Sequence, residues 1–121
     1  MVSQVEPQAV KEMLSDGQEI AFLDVREHGQ FGDGHPFFAN SVPYSKFEVR
    51  LVEVVPVPSV RMVLYDNADG IAELAAARAE ALGYTNVSIM AGGAAGWKAA
   101  GFTLYKGENV PTKTFGEILE H

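Results

Sequence analysis

The stretch VLYDNADGIAELAAARAEALGY, from Val63 to Tyr84, decides the fold. It opens on β-branched and aromatic residues that suit a strand and passes through the polar turn DNADG (Asp66 to Gly70). It then enters IAELAAARAEAL (Ile71 to Leu82), a run of strong helix formers with Gly83 just past its end. Ile71, Leu74, Ala75, Arg78 and Leu82 fall near one stripe of that helix. A loop that leaves the carboxyl end of a strand and opens a helix points backbone N–H groups at one spot, and such a spot attracts anions.

Working outward, Val60 to Tyr65 (VRMVLY) and Ile20 to Val25 (IAFLDV) are short, nearly continuous apolar runs, as expected of strands covered on both faces. Asn86 to Met90 reads as a third strand, Gly92-Gly93 as a turn, and Ala94 to Ala100 as a short helix stopped by Gly101. Pro7 suits a first helical position, Val10, Met13 and Leu14 recur at helical spacing, and Gly17 ends the segment. The stretch SKFEVRLVEVV (Ser45 to Val55) is ambiguous. Its valines favour a strand, whereas Phe47, Leu51 and Val54 fit a helix face, and the helix is preferred. Strand and helix patterns alternate throughout, which predicts a three-layer α/β domain with a mostly parallel sheet, because parallel neighbours need crossover connections.

The 121 residues suffice for a single core without staples. There is no cysteine, which excludes a disulfide framework, a thiolate metal site and a cysteine nucleophile. His28, His35 and His121 have no spacing that reads as a zinc site. Sixteen acidic against 9 basic residues give a net charge of −7, a field that repels phosphate backbones and anionic lipid. Nucleic acid and membrane are therefore not expected partners. No secretory leader pattern or membrane-length apolar run is evident, so the expectation is a soluble, by default cytoplasmic, protein.

The motifs LDVRE (Leu23 to Glu27), Phe31 followed by Gly34-His35, Ala39 with Val42-Pro43, VLY before the loop, LGYTNV (Leu82 to Val87), and Gly92, Gly93, Trp97, Ala100 and Gly101 stand in the order and at the intervals of the rhodanese family. Across residues from about 20 to 107 the chain resembles that family. The resemblance implies a five-stranded, mostly parallel sheet between helices. It also implies a sulfurtransferase that moves sulfane sulfur from thiosulfate to a thiophilic acceptor such as cyanide. In the family pattern a cysteine follows the tyrosine that ends the strand, and the loop returns through a glycine, an arginine and a serine. Loop amides and the helix dipole lower the pKa of that thiol, so that a thiolate can attack sulfur and hold it as a persulfide.

In this chain the cysteine position is Asp66, the glycine position Asp69, the arginine position Ile71 and the serine position Ala72. Oxygen attack on sulfane sulfur yields no persulfide equivalent, so sulfur transfer by the family's mechanism is excluded. Anion recruitment is opposed as well, because Ile71 removes a positive group while Asp66 and Asp69 add two negative ones. At 4 Å, two unit charges interact by about 4 kcal/mol at an effective dielectric of 20. The loop of interest is thus Asp66, Asn67, Ala68, Asp69, Gly70, Ile71 and Ala72, with no catalytic residue, cofactor or metal assigned to it.

Asp66 can instead seat its own carboxylate on the loop amides, capping the helix and filling the anion site from within. The plainer reading makes Asp66, Asn67 and Asp69 water-facing turn residues. A calcium loop is refused by register: with Gly70 at the sixth position, the first and twelfth ligands would be Tyr65 and Ala76. An aspartyl nucleophile lacks a second aspartate two positions on and a nearby lysine. Under the resemblance, Asp24 and Arg26 are scaffold that ties loops at the sheet's carboxyl edge. His35 is expected to be a satisfied, partly buried histidine, Trp97 core or rim packing, and Phe31, Phe37, Phe38 and Tyr44 core and loop packing. Pro36, Phe38 and Ser41 depart from the family's usual residues.

The expected organisation is a rhodanese-like domain over residues 1–107 and a linker or docking segment over 108–121, in which Thr114 and Glu117 have capping-box spacing ahead of Ile118 and Leu119. The function expected is a structural, regulatory or interaction module, silent in sulfur transfer, beside another rhodanese domain or a different protein domain within a larger sulfurtransferase. The alternative is a ligand-binding or non-sulfur catalytic domain that uses the Asp66 to Ala72 loop.

Overall fold

The two apolar runs become neighbouring strands at the centre of one sheet. A computed structural model of the chain describes residues 2–36 and 38–105. The strands are β1 (Ser3–Val5), β2 (Ile20–Asp24), β3 (Asn40–Ser41), β4 (Arg61–Tyr65) and β5 (Val87–Met90). They lie in the spatial order β1-β5-β4-β2-β3, and every neighbouring pair is parallel. The central register pairs Ile20 with Arg61 and Asp24 with Tyr65, so the two strands end level with each other. The helices are α1 (Pro7–Leu14), α2 (His28–Asp33), α3 (Phe47–Val54), α4 (Ile71–Ala81) and α5 (Gly93–Ala99), with a 3₁₀ turn at Tyr44–Lys46 leading into α3.

Strand periodicity divides the core in two. Ala21 and Leu23 of β2 and Met62 and Leu64 of β4 pack with Phe47 and Leu51 of α3 and the alanines of α4. Ile20, Phe22, Val63 and Tyr65 point the other way, onto Val10 of α1, Phe31 of α2, and Ala94 and Trp97 of α5. Trp97 is 3% exposed and donates its indole N–H to the Thr103 carbonyl at 2.9 Å, the packing role expected of it.

The stripe read along α4 needs correction. Ala72, Ala75, Ala76 and Ala79 are the buried face, while Leu74 and Leu82 are 51% and 42% exposed. Alanine side chains are short, so the helix lies low against β4 and β5, where leucines would hold it off. Arg78 accordingly faces outward and pairs with Glu48 of α3. The ambiguous stretch from Ser45 is helical, burying Phe47 and Leu51 and leaving Val49 and Val52 outside.

Three elements had no reading in the sequence: β1, β3 and α2. The first two have only 3 and 2 residues, too few for periodicity to show. The sequence of α2, HGQFGD, carries two glycines that lower its helix propensity, yet the helix places Phe31 in the core. His35 is fully buried rather than partly so, stacked on Phe31 with ring centroids 3.9 Å apart and its Nδ1 2.8 Å from the Pro36 carbonyl. Its backbone exchanges hydrogen bonds of 2.8 and 2.7 Å with Tyr105, which returns the chain to this loop. Phe38, one of the departures from the family's usual residues, takes a left-handed φ of 72°. Phe37, the boundary at 107 and the segment 108–121 lie outside the described residues. Among the described residues no helix is long and apolar enough to cross a membrane.

Candidate functional site

The carboxyl ends of β2 and β4 mark the point where the connections part. From β2 the chain moves to β3 on one side, and from β4 it moves to β5 on the other. Open parallel sheets form their ligand crevices at such a point. The loop Asp66 to Ala72 leaves β4 here and opens α4.

Asp66 is the first residue after β4 and is 3% exposed. Its Oδ1 accepts from the Ala68 amide at 2.8 Å, and its Oδ2 accepts from the amide of Ala72, the second residue of α4, at 2.9 Å. The side chain therefore caps the helix from four residues ahead of Gly70, the left-handed residue at the N-cap position. The exposed Asp69 accepts from the Ile71 amide at 3.4 Å. Ala68 is held in the left-handed region at a φ of 61°. Behind the loop, Gly93 at the start of α5 comes so close that the Asp66 carbonyl accepts from the Ala94 amide at 2.9 Å. The seven residues singled out in the sequence thus form the turn after β4 and the first two residues of α4, held together by the Asp66 carboxylate on the Ala68 and Ala72 amides. Asp66 is not a water-facing turn residue, since both carboxylate oxygens are engaged by backbone amides.

A second carboxylate braces the loop. Asp24 ends β2 fully buried and accepts from the Arg26 amide at 2.8 Å, from Arg26 Nε at 3.0 Å to both oxygens, and from Arg26 Nη2 at 2.7 Å. Arg26 Nη2 also donates to the Gly34 carbonyl at 2.6 Å, and Nη1 reaches Asn67 Oδ1 at 3.5 Å. The pair therefore ties the turn after β2 to the loop after β4. Burial alone would lower the Arg26 pKa, but the hydrogen bonds and charge of Asp24 outweigh it and hold the guanidinium above its ordinary value.

Tyr65 completes this network and was not singled out as a site residue in the sequence. Its hydroxyl donates to Asp24 Oδ2 at 2.7 Å, and the Arg26 guanidinium lies 5.4 Å from its ring centroid. Burial, followed by the Asp24 charge and hydrogen bond, pushes its pKa well above the ordinary tyrosine value. The available signal was positional: Tyr65 ends one apolar run that reads as a central strand and Asp24 lies one residue before the end of the other, and the sheet register sets the two level.

In front of the loop lies a cleft of about 220 Å³ between Val25, Glu27 and Gln30 after β2, Tyr44 and Ser45 of the 3₁₀ turn, and Asp66, Asp69 and Ile71. Among the described residues no three His, Cys, Asp or Glu side chains cluster as metal ligands. Where loop amides and a helix N-terminus would receive an anion, the chain's own carboxylate is seated.

Residues 6–100 match the Rhodanese-like domain family. A thiosulfate sulfurtransferase from Pseudomonas aeruginosa superimposes with a TM-score of 0.85 at 34% identity over 89% of this chain, which spans only 21% of that protein. A protein from Anabaena sp. superimposes with a TM-score of 0.78 at 26% identity, over 84% of this chain and 81% of its own. The polysulfide-sulfur transferase homodimer of Wolinella succinogenes, at 19% identity and a TM-score of 0.75 over 89% of this chain and 81% of its own, shares the fold. No curated protein matches the sequence. Sheet order, motif order and these matches agree: the chain belongs to the Rhodanese-like domain family, and it carries no cysteine.

Proposed function

We propose that this chain is a rhodanese-like domain silent in sulfur transfer, acting as a structural, regulatory or interaction module within a larger, multi-domain sulfurtransferase. The observation that carries the reading is the seat of Asp66, whose carboxylate takes the Ala68 and Ala72 amides at 2.8 and 2.9 Å. A thiolate in that position would be the nucleophile; a carboxylate so engaged is a helix cap. With no cysteine elsewhere in the chain, nothing can carry the sulfane sulfur.

The multi-domain setting is supported by the Pseudomonas aeruginosa thiosulfate sulfurtransferase, of which this chain matches 21%. The alternative of a base or nucleophile at Asp66 is disfavoured by its burial to 3% exposure and by its two amide partners. The test is a thiosulfate-to-cyanide assay on the purified chain. No thiocyanate above the buffer background is expected, and enzyme-dependent thiocyanate overturns the proposal.

A further inference from the structure

The cleft in front of the loop keeps the shape of a ligand site, but its charge does not suit an anion. Its accessible apolar lining comes from the half-buried Ile71 and Tyr44, and the exposed Glu27 and Asp69 line it with carboxylates. Glu27 accepts the Ser45 hydroxyl at 2.9 Å and Asp69 accepts the Ile71 amide at 3.4 Å. Both donors are neutral, and among the described residues neither carboxylate is paired with a cation. Arg26, the cation that lines the cleft, is already engaged: its side chain is 8% exposed and bound to the buried Asp24 at 2.7 Å.

We infer that this cleft receives one arginine or lysine side chain presented by a partner protein, an inference that rests on the domain being an interaction module. The aliphatic stem of such a side chain suits Ile71 and Tyr44, while its charged head meets Glu27 and Asp69. An anion is opposed by the same two carboxylates. At about 220 Å³ the cleft is smaller than the roughly 300–1,000 Å³ of pockets that enclose whole small molecules, and it suits a single inserted side chain. The net charge of −7 favours encounter with a basic partner, so charge complementarity acts at both long and short range.

The experiment is an NMR titration of the ¹⁵N-labelled full chain with the peptide Ac-Ala-Arg-Ala-NH₂ at millimolar concentration. Saturable shifts are expected for the amides of Glu27, Ser45, Asp69 and Ile71, shrinking as salt is raised, with none from the glutamine analogue. The Glu27→Gln/Asp69→Asn double variant should raise Kd by about tenfold or more. Ile71→Arg keeps both carboxylates and should abolish the shifts independently, which guards against misfolding of the double variant. Absent or non-saturable shifts, equal shifts from the glutamine peptide, shifts confined elsewhere, or unchanged binding in both variants overturn the inference. Failure is separable from that of the parent proposal: thiocyanate formation defeats the silent-module reading, whereas a silent domain that ignores the peptide defeats only this inference.

Discussion

Gly93 presses against the main chain of Asp66: a Cβ built on it would stand 2.4 Å from the Asp66 carbonyl oxygen and 2.7 Å from the Ala68 amide. Both contacts are backbone, which cannot swing aside, and Gly93 also has a φ of 64°. Gly93→Ala is therefore expected to cost about 2–4 kcal/mol, combining left-handed strain with displacement of the loop. Urea denaturation checks this, and a loss under about 0.5 kcal/mol would mean that the α5 start and the loop are not pressed together.

Removing the Asp66 side chain should destabilise the domain without touching its core. Asp66→Ala leaves the Ala68 and Ala72 amides without their acceptor, at a cost of about 1–3 kcal/mol. Asp66→Asn should recover little, because one of its two positions presents an amide donor to an N–H that is itself a donor. Chemical denaturation of both variants reads the ranking.

Under the proposed function, Asp66→Cys supplies the atom the family mechanism needs but not its surroundings. Ile71 supplies no positive charge and Asp69 adds a negative one beside the same cleft. The variant should form no thiocyanate from thiosulfate and cyanide, and it should also be less stable through loss of the cap. Turnover by this single variant would show that the loop's charge is not what keeps it silent.

The legible and the illegible parts of this fold differ in physical kind. Ile20–Asp24 and Arg61–Tyr65 are buried on both faces, so their apolar runs were plain in the sequence, and so was the helix propensity of Ile71–Ala81. The face that α4 buries was not, because hydrophobicity ranks leucine above alanine while close packing on a sheet selects the smaller side chain. At the site, Asp66 was found through its place in the strand-loop-helix. Its bond to Ala72 is a contact six residues ahead, and the Tyr65–Asp24 bond spans forty-one residues, so both depend on the finished fold. The Gly93 contact likewise joins the start of α5 to the loop after β4, which only the sheet brings together.

The buried Tyr65 hydroxyl should make the domain sensitive to alkali. Tyrosine has an ordinary pKa of about 10. The folded value lies well above that, first because burial penalises the phenolate and then because Asp24 repels it. The folded state thus favours the protonated form. The associated stability is fully present below about pH 10 and is lost as the pH rises toward the folded value. Stability measured against pH should fall above pH 10 and fall less in Tyr65→Phe. That variant should lose about 1–3 kcal/mol at neutral pH with its bond to Asp24. Equal alkaline slopes in both proteins would place the titration elsewhere.

The corrected face of α4 predicts opposite outcomes for neighbouring positions. Leu74 is 51% exposed, so Leu74→Ala removes little buried surface and should change stability by no more than about 0.5 kcal/mol. Ala76 is 1% exposed within the cluster that joins α4 to β4 and β5. Ala76→Leu inserts three heavy atoms where the helix lies low on the sheet and should cost about 1–3 kcal/mol or more. A stripe centred on the leucines would reverse this order, making Leu74→Ala a core deletion at about 2–5 kcal/mol and Ala76→Leu nearly neutral. Paired thermal and urea melts of the two variants distinguish the faces directly, because the predicted ranking changes sign between them.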